Sequence, residues 1–371
     1  MKDVKVIPVK TPRERLRYIK FPWRIYSDDL NWTPPLISER KDFLNPSRNP
    51  YYQHADVELF AAFRSGEMVG TIAANVDHNY NRYHNEKMGF FGFFECMNDQ
   101  EIAMALFDAA SDWLRQRGME FMRGPANFYT HGECGLLVDG FNSPTVILYP
   151  YNPPYYQTLI EGYGFSKVMD SHAYASPEHG PPDYLAQVAE KVARDSDVRI
   201  RTADMRRFED EIQHVKRIYN KAWRNNWGFV PLTDDEAVFM GNLLRSLLDP
   251  ELCFIAEVNG EPIGFAVTLP DYGIALRHMN GRVFPFGWLK YLIYKRKIDV
   301  LIVFFMGVLP EYHDLQIGAL FYLIGWKAAL KKGYKSIMSS WVFENNEPMN
   351  RALQWLGARI YKTYRAYEKK L

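Results

Sequence analysis

An internal repeat is the feature that most constrains the fold of this chain. Residues 59–74, LFAAFRSGEMVGTIAA, align without a gap with residues 253–268, CFIAEVNGEPIGFAVT. Each stretch has two β-rich apolar runs around a two-residue turn, Ser65-Gly66 in the first and Asn259-Gly260 in the second, and this pattern predicts a β-hairpin. Because the unit occurs twice, the fold must be built from two copies of it.

The similarity extends on both sides of the hairpins. Upstream, NWTPPL at 31–36 matches NWGFVPL at 226–232, and downstream YQTLIEGYGFSKVMDSHAY at 156–174 matches MNRALQWLGARIYKTYRAY at 349–367. The whole chain has 371 residues, which is more than one hydrophobic core usually supports. We predict two domains, 1–180 and 190–371, with the join near 175–197, where SPEHGPPDYL supplies turn residues before a helix.

Each copy has the pattern of a strand, a helical region, a hairpin, a strand, a helix, a strand, a helix and a final strand. The elements predicted for the second copy are a strand at 198–202, helices within 205–248, the hairpin at 253–269, strands at 300–308, 335–342 and 358–367, and helices at 318–332 and 347–356. This order favours an α+β fold in α/β/α layers, in which each domain has a mixed sheet flanked by helices.

The charge balance argues against nucleic acid as a partner. Basic residues number 45 and acidic residues 44, so the formal net charge of +1 gives no general basic field for phosphate binding. The cysteines Cys96, Cys134 and Cys253 lie far apart, which predicts neither a disulfide framework nor a zinc site. Since no apolar run is long enough to span a bilayer, we expect a cytoplasmic protein that uses no metal.

Residues 300–334 predict a buried strand, a turn and the start of a helix. The N–H groups and the dipole of a helix N-terminus can bind phosphate oxygens without a basic side chain, which suits a pyrophosphate. This stretch resembles the acetyl-CoA-binding motif of the GNAT superfamily of acetyltransferases, V-x-P-x-x-R/Q-x-x-G-x-G/A. Val308, Pro310 and Gly318 agree with that motif in register.

The resemblance implies an acyl-CoA site in the second copy. It places the oxyanion donor at a backbone N–H near Val308 or Leu309, and the pyrophosphate in a loop made of His313, Asp314, Leu315, Gln316, Ile317, Gly318 and Ala319. The strand and helix of KSIMSSWVFENNEPMNRALQWLG also resemble the family, and they add Asn346 and Asn350 as implied contacts. Acetyl-CoA or acyl-CoA is then the implied co-substrate.

Four positions depart from the family pattern, and one of them is Ala358, which replaces the Phe of a Gly-Phe pair. His313 stands where the family usually has Arg or Gln, and an exposed loop histidine has the second interpretation of being simply solvated. Gln316 stands where the family usually has Gly, so a positive φ at this residue would carry strain. Leu353 stands where a tyrosine often protonates the departing thiolate, and Tyr361 is the candidate that replaces it.

The mechanism that the resemblance implies is direct attack of an amine on the thioester. Glu344, or Glu133 or His131 from the first copy, would accept the proton of the amine. Glu344 has a second interpretation, because it precedes EPMNRAL and can cap the helix that begins there.

The first copy departs further from the family. Its strand KMGFFGFFE leads into CMNDQEIAMALFDAA without a glycine-rich turn, and Asp99 and Glu101 at the predicted helix start would repel a pyrophosphate. We therefore predict that this copy binds no CoA. Its polar loop within 123–141 contains Asn127, Tyr129, His131 and Glu133, which form either an acceptor pocket or an ordinary loop of turn-capping groups.

The segment 281–298, GRVFPFGWLKYLIYKRKI, combines aromatic and cationic residues, among them Trp288. It is typical either of a helix that contacts a lipid-like ligand or a membrane surface, or of a core-packing helix with a basic end.

We thus expect an N-acyltransferase that uses acyl-CoA and an amine, with a lipid-like acceptor or a long acyl chain, and with peripheral contact to the inner face of the membrane. The pattern is also similar to the bacterial GNAT-like ceramide synthase group. Two alternatives are a transferase of the peptidoglycan-bridge type that uses aminoacyl-tRNA, and a non-catalytic protein that binds CoA or another ligand.

Overall fold

The computed structural model describes residues 4–129, 132–176, 180 and 182–371. His131 and four residues of the predicted join, 177–179 and 181, lie outside the described residues. In chain order the elements are β1 Lys5–Pro8, α1 Pro12–Lys20, α2 Pro22–Ile25, α3 Ile37–Phe43, β2 Ala55–Arg64, β3 Glu67–Asp77, α4 His78–His84, β4 Met88–Cys96, α5 Gln100–Arg115, β5 Phe121–Gly124, β6 Leu136–Asp139, α6 Tyr156–Gly162, β7 Ser166–Ala175, α7 Asp183–Asp195, β8 Arg199–Thr202, α8 Phe208–Ala222, α9 Asp234–Leu244, β9 Cys253–Val258, β10 Glu261–Pro270, α10 Gly273–Met279, α11 Gly287–Tyr294, β11 Val300–Val308, α12 Ile317–Lys331, β12 Ser336–Phe343, α13 Glu347–Trp355 and β13 Arg359–Lys370.

Both predicted hairpins are confirmed. β2 and β3 are joined by Ser65 and Gly66, with φ of 56° and 83°, and β9 and β10 by Asn259 and Gly260, with φ of 53° and 82°. Two consecutive positive φ values give the turn a twist that matches the right-handed twist of the paired strands. The repeat seen in the sequence is therefore a repeat of backbone conformation.

The chain forms two compact units whose segments alternate along the sequence. Unit 1 contains the described residues up to 171, together with 272–296 and 362–371, and unit 2 contains the described residues of 172–271 and 297–361. The last strand, β13, therefore begins in unit 2 and ends in unit 1. The domain bounds 1–180 and 190–371 stay a prediction.

Unit 1 has a mixed sheet with the strand order β1-β2-β3-β4-β5-β13, and β6 also pairs with β13. The β4–β5 pair is parallel, whereas β13 runs antiparallel to both β5 and β6. One core cluster fills the space between this sheet and helices α5 and α6, and its fully buried members include Phe91, Leu106, Phe107, Leu114 and Ile160.

Unit 2 repeats this plan with the order β7-β12-β11-β10-β9-β8. Its β11–β12 pair is parallel, and the pairs from β11 to β8 are antiparallel. Phe265 and Ile263 of the sheet pack with Ile317 and Phe321 of α12 and with Phe229 in one buried cluster. The predicted fold class, a mixed and mostly antiparallel sheet flanked by helices in each copy, is confirmed. The helices described here include none that is long and apolar enough to cross a bilayer.

Candidate active site

The two parallel strands of unit 2 separate before they end. Within the part of the chain that the structure describes, their register runs from Val300–Ser336 to Val303–Ser339, although β11 continues to Val308 and β12 to Phe343. β11 remains paired with β10 as far as Val308. The opening therefore lies on the β12 side of β11, at the carboxyl ends of the parallel strands.

A β-bulge lies in β11 at this opening. Val267 is paired with Phe305 and Thr268 with Val303, so Phe304 has no place in the register. The extra residue of a bulge is left out of the ladder, and the bulged strand bends at that point. Phe304 thus lies at the point where the described register of β11 with β12 ends.

Of the two oxyanion donors that the resemblance implies at the end of β11, the Leu309 N–H is bound within the protein. The Leu309 N–H donates to the Ile263 carbonyl at 2.8 Å, and Val308 is paired in register with Gly264. The His313 ring lies 3.0 Å from the Val308 carbonyl through Nε2, which turns this side chain back toward the strand. Because the Leu309 N–H already donates to the Ile263 carbonyl, it is not available to a thioester oxygen.

The loop after β11 brings the start of α12 to the same opening. Residues Pro310–Leu315 form a 3-10 turn, and Gln316 then takes the left-handed conformation with φ of 54° and ψ of 32°. α12 begins at Ile317 without a side-chain cap and without an acidic residue in its first turn. The N–H groups of a first helical turn have no partner inside the helix, although here that of Ala319 bonds to Gln316.

The space above this helix start is open. A methyl group added at Gly318 would meet no protein atom within 4 Å. Asp314 is exposed, whereas Leu315 packs against the core of unit 2 and Ile317 is buried within it. Backbone donors, a favourable dipole and free space together suit an anionic group such as a pyrophosphate.

Asn346 and Asn350 hold the junction between β12 and α13. Asn346 caps α13 by accepting a bond of 3.3 Å from the Met349 N–H. The Asn350 amide donates to the Phe343 and Asn346 carbonyls at 2.9 and 3.0 Å and accepts from the Tyr174 hydroxyl at 2.7 Å. Both side chains therefore fix the end of β12, and their contact with CoA stays a prediction.

The candidate acid and base of unit 2 differ in their surroundings. Burial raises the pKa of Tyr361, with a further rise from Asp271, so its phenol keeps its proton at neutral pH. Glu344 is exposed in the turn that follows β12. Leu353, at the position of the missing tyrosine, is buried with Tyr174 and Val342 in a small apolar cluster.

Unit 1 has a comparable bulge that is closed by a side chain. Thr71 is paired with Glu95 and Ala73 with Gly92, which makes the bulge around Phe93. The Phe93 N–H donates to the Oδ1 atom of Asn127 at 2.7 Å. An amide oxygen of the protein therefore occupies the donor to which a thioester carbonyl would bind.

The helix start of unit 1 is closed as well. Asp99 caps α5 by accepting from the Glu101 and Ile102 N–H groups at 2.9 and 3.4 Å. The hydrogen bond from Arg64 is the main cause that lowers the pKa of Asp99, and it keeps this cap ionised. A bound carboxylate and Glu101 in the first turn are unfavourable for an anionic ligand.

The predicted acceptor cluster of unit 1 is bound into a polar network. Asn127 donates to the Glu133 carboxylate at 2.6 Å, and Glu133 also forms an ion pair with Arg40. Tyr129 lies among aromatic rings, 5.7 Å from Tyr51 and 6.4 Å from Phe43 between centroids. Glu133 therefore has two hydrogen-bonding partners within the protein, and its use as a base stays a prediction.

Comparison with known proteins agrees with this geometry. The Acetyltransferase (GNAT) family matches residues 212–358. The Bacterial ceramide synthase of Caulobacter vibrioides (strain NA1000 / CB15N) is 37% identical over 377 residues, covering 100% of this chain and 98% of that protein. The chain belongs to the GNAT family.

Two further similarities concern the whole length of the chain and its fold. Protein YghO of Escherichia coli (strain K12) is 34% identical over 364 residues, which covers 95% of this chain and 92% of that protein. The fold is similar to that of a tandem GNAT protein from the clavulanic acid biosynthesis pathway, with a TM-score of 0.61, 10% identity and coverage of 99% and 98% of the two chains. As a member of the GNAT family, the protein is an acyltransferase.

Sequence reasoning missed a half-buried carboxylate of the first GNAT copy. Glu95 on β4 accepts hydrogen bonds from the hydroxyls of Tyr26 at 2.9 Å and Tyr156 at 2.7 Å. Burial raises the pKa of Glu95 to about 7 despite these two bonds. The sequence did carry a weak signal, because a glutamate in the run GFFGFFEC is unusual for a buried strand.

The aromatic segment of 281–298 is not core-packing. The exposed fractions are 78% for Phe284, 68% for Phe286, 50% for Ile293 and 48% for Trp288. The interpretation as a helix packed into the core is therefore wrong for these side chains. Trp288 donates through Nε1 to the Pro285 carbonyl at 3.0 Å, and its role in substrate binding stays a prediction.

Proposed function

We propose that this GNAT protein is an N-acyltransferase that binds acyl-CoA in unit 2 and transfers the acyl group to the amine of a lipid-like acceptor. One observation carries the proposal: the start of α12 is uncapped and open beside the parted strands β11 and β12. The same place in unit 1 is closed by Asp99 and Asn127. The GNAT family uses acetyl-CoA or acyl-CoA, which accords with one donor site per chain.

The proposal of a lipid-like acceptor is based on similarity to a relative. The protein from Caulobacter is named a ceramide synthase, and ceramide is the amide of a long-chain amino alcohol and a fatty acid. Similarity over the full length of both chains makes a related acceptor the simplest expectation. A long-chain base such as sphinganine is therefore the first substrate to test.

The residues of unit 2 have separate tasks in this proposal. The first-turn N–H groups of Ile317 and Gly318 bind the pyrophosphate of CoA, and the Phe304 N–H donates to the thioester oxygen and stabilises the charge that develops on it. The amine nitrogen forms a bond to the carbonyl carbon as the carbon–sulfur bond breaks. Glu344 accepts the proton of the amine, directly or through water, and Tyr361 donates a proton to the thiolate.

The alternatives have less support. An aminoacyl-tRNA substrate would require neutralisation of many phosphates, whereas the formal net charge is +1. A non-catalytic binding protein would accord with His313, Gln316 and Leu353 at positions where the family usually has other residues. That alternative predicts CoA binding without turnover, so the two measurements together separate it from the proposal.

Calorimetric titration with CoA tests the donor site. We expect one CoA per chain for the wild type. Gly318→Asp should weaken binding by at least about tenfold, since it places a carboxylate beside the pyrophosphate. Gly318→Ala adds a methyl group that meets no protein atom, so any loss of affinity for this variant reports on the ligand and not on folding.

The matched control is Glu101→Ala in unit 1. Glu101 is the second residue of α5, just as Gly318 is the second residue of α12. It should change neither the affinity nor the stoichiometry. Absence of CoA binding by the wild type at millimolar ligand would overturn the proposal.

Turnover tests the acceptor. The purified chain with palmitoyl-CoA and sphinganine should form the N-acyl product, detected by mass spectrometry, and acetyl-CoA with a water-soluble amine should give much less. Binding of CoA without product from either pair would favour the non-catalytic alternative.

A further inference from the structure

Positive charge is concentrated in one segment of the chain, most of which belongs to unit 1. Residues 272–298 contain six cations and no aspartate or glutamate, in a chain whose formal net charge is only +1. The cations are Arg277, Arg282, Lys290, Lys295, Arg296 and Lys297. The local excess of positive charge is therefore offset elsewhere in the chain.

The same segment presents large apolar side chains to solvent. Phe284, Phe286, Trp288, Leu289, Leu292 and Ile293 are all exposed, and we call them the apolar ridge. Soluble proteins seldom expose this many large neighbouring apolar side chains unless the surface has a partner. Since α11 is only eight residues long, the ridge can lie at a membrane surface but cannot span a bilayer.

The ridge rests on a rigid base. Gly281 has φ of 75°, and a Cβ atom there would lie 2.3 Å from the Trp23 ring, so this backbone is packed closely against α2. The Gly281 carbonyl accepts from the Ile37 N–H at 3.0 Å, and the Trp23 indole donates to Asn280 at 2.6 Å. The backbone from which the ridge begins is therefore anchored to unit 1 at Asn280 and Gly281.

A basic pocket opens beside the ridge. It has a volume of about 540 Å³, and Lys20, Arg282 and Lys290 contribute its charged groups, with Trp23, Ile37 and Asn280 among the other lining residues. All three cations are exposed. Within the described ranges none of them forms an ion pair with a carboxylate of the protein. Three unneutralised cations around one concavity suit a phosphate group.

We propose that the ridge and the pocket form a docking face for an anionic bilayer, in which the ridge enters the interfacial layer and the pocket binds the phosphate of a lipid headgroup. Aromatic side chains and long cationic side chains are the residues that bind at this interface, where the rings are partly buried and the charges attract anionic lipids. A protein partner would need acidic side chains opposite the pocket and an apolar groove opposite the ridge, whereas one anionic bilayer supplies both. This inference is independent of the proposed function, because it concerns unit 1 and requires no acyl transfer.

Vesicle binding of the full chain tests the docking face. We expect the protein to sediment with vesicles that contain phosphatidylglycerol and phosphatidylcholine, to bind weakly to phosphatidylcholine alone, and to be released by high salt. Lys290→Glu, or Arg282→Glu, should lower the partition coefficient by about fivefold or more, the effect of removing one cation from an anionic surface. Phe286→Ser together with Trp288→Ser should lower it by about tenfold or more.

The controls are an exposed apolar residue and an exposed cation elsewhere. Leu330→Ser and Lys331→Glu lie at the end of α12, where Leu330 is 57% exposed, and neither should alter vesicle binding. Failure of the wild type to bind anionic vesicles, or equal binding by the Phe286–Trp288 double variant, would overturn the proposal. Retained binding of CoA by the variants shows that they are folded, and it separates this outcome from a failure of the proposed function.

Discussion

The Oδ1 atom of Asn127 accepts a hydrogen bond of 2.7 Å from the backbone N–H of Phe93, at the bulge of unit 1. The same amide donates to Glu133, which is paired with Arg40. One side chain thereby closes the bulge and connects it to a polar network. The first GNAT copy has kept the strand geometry of its fold and uses it for internal structure.

Replacement of Asn127 should therefore lower stability without creating a second CoA site. Asn127→Ala leaves the Phe93 N–H without its acceptor, and we expect the free energy of unfolding to fall by about 1–3 kcal/mol in urea titrations. Asn98→Ala, at an exposed position, is the control and should change the free energy little. Because Asp99 still caps α5, the CoA stoichiometry should remain one, and a value of two would contradict this account of unit 1.

The backbone strain at Gln316 gives a second prediction. Its φ of 54° is unfavourable for a residue with a side chain, and the family usually has Gly at this position. Gln316→Gly should therefore raise the free energy of unfolding by roughly 0.5–1 kcal/mol, which is the strain removed less the entropy of a more flexible unfolded chain. Gln316→Ala removes the same amide but keeps the strain, so it should not be stabilising. An equal gain in both variants would show that the Gln316 side chain, and not its φ, is unfavourable.

The parts of the fold that depend on local sequence could be predicted. Residues 300–308 were predicted as a strand and form β11, and the turns Ser65-Gly66 and Asn259-Gly260 adopt the expected positive φ values. Both follow from neighbouring residues alone. For Gln316 the sequence predicts strain only if φ is positive, because the family pattern identifies the position but not its φ.

The features that close unit 1 could not be predicted, because they join distant residues. Asn127 is 34 residues from Phe93, and Arg40 is 93 residues from Glu133. The pairing of the end of β13 with β5 joins residues that are still farther apart in the sequence, since the bond between Arg123 and Glu368 spans 245 positions. Nothing in the local sequence of 123–141 distinguishes an acceptor pocket from a group of side chains that is bound internally.

A third prediction concerns Asn350, which the family pattern assigns to CoA and the geometry assigns to the β12–α13 junction. Its Oδ1 atom accepts from the Tyr174 hydroxyl at 2.7 Å. In a double-mutant cycle of Tyr174→Phe and Asn350→Ala, we expect a coupling energy of about 0.5–1.5 kcal/mol in unfolding. Tyr174→Phe should leave the Kd for CoA unchanged, and a large change in Kd would show that this bond supports the donor site.

The last prediction follows from Glu95, whose pKa burial raises from about 4.5 to about 7. Between these values the unfolded chain has already lost the proton that the folded protein keeps. The folded state therefore binds more protons, and the free energy of unfolding must fall as pH rises from 4.5 to 7. Above pH 7 the carboxylate is ionised in both states, so this contribution becomes constant.

Glu95→Gln should remove that part of the pH dependence, because glutamine keeps an oxygen for the hydroxyls of Tyr26 and Tyr156 and has no proton to lose. At pH 8 the variant should be more stable than the wild type by at most roughly 3 kcal/mol, and near pH 5 the difference should be small. Urea titrations at several pH values measure both curves, with the exposed Glu190→Gln as the control. Parallel curves for the wild type and Glu95→Gln would mean that Glu95 ionises at its ordinary pKa in the folded protein, and that the two tyrosine hydroxyls offset the whole cost of its burial.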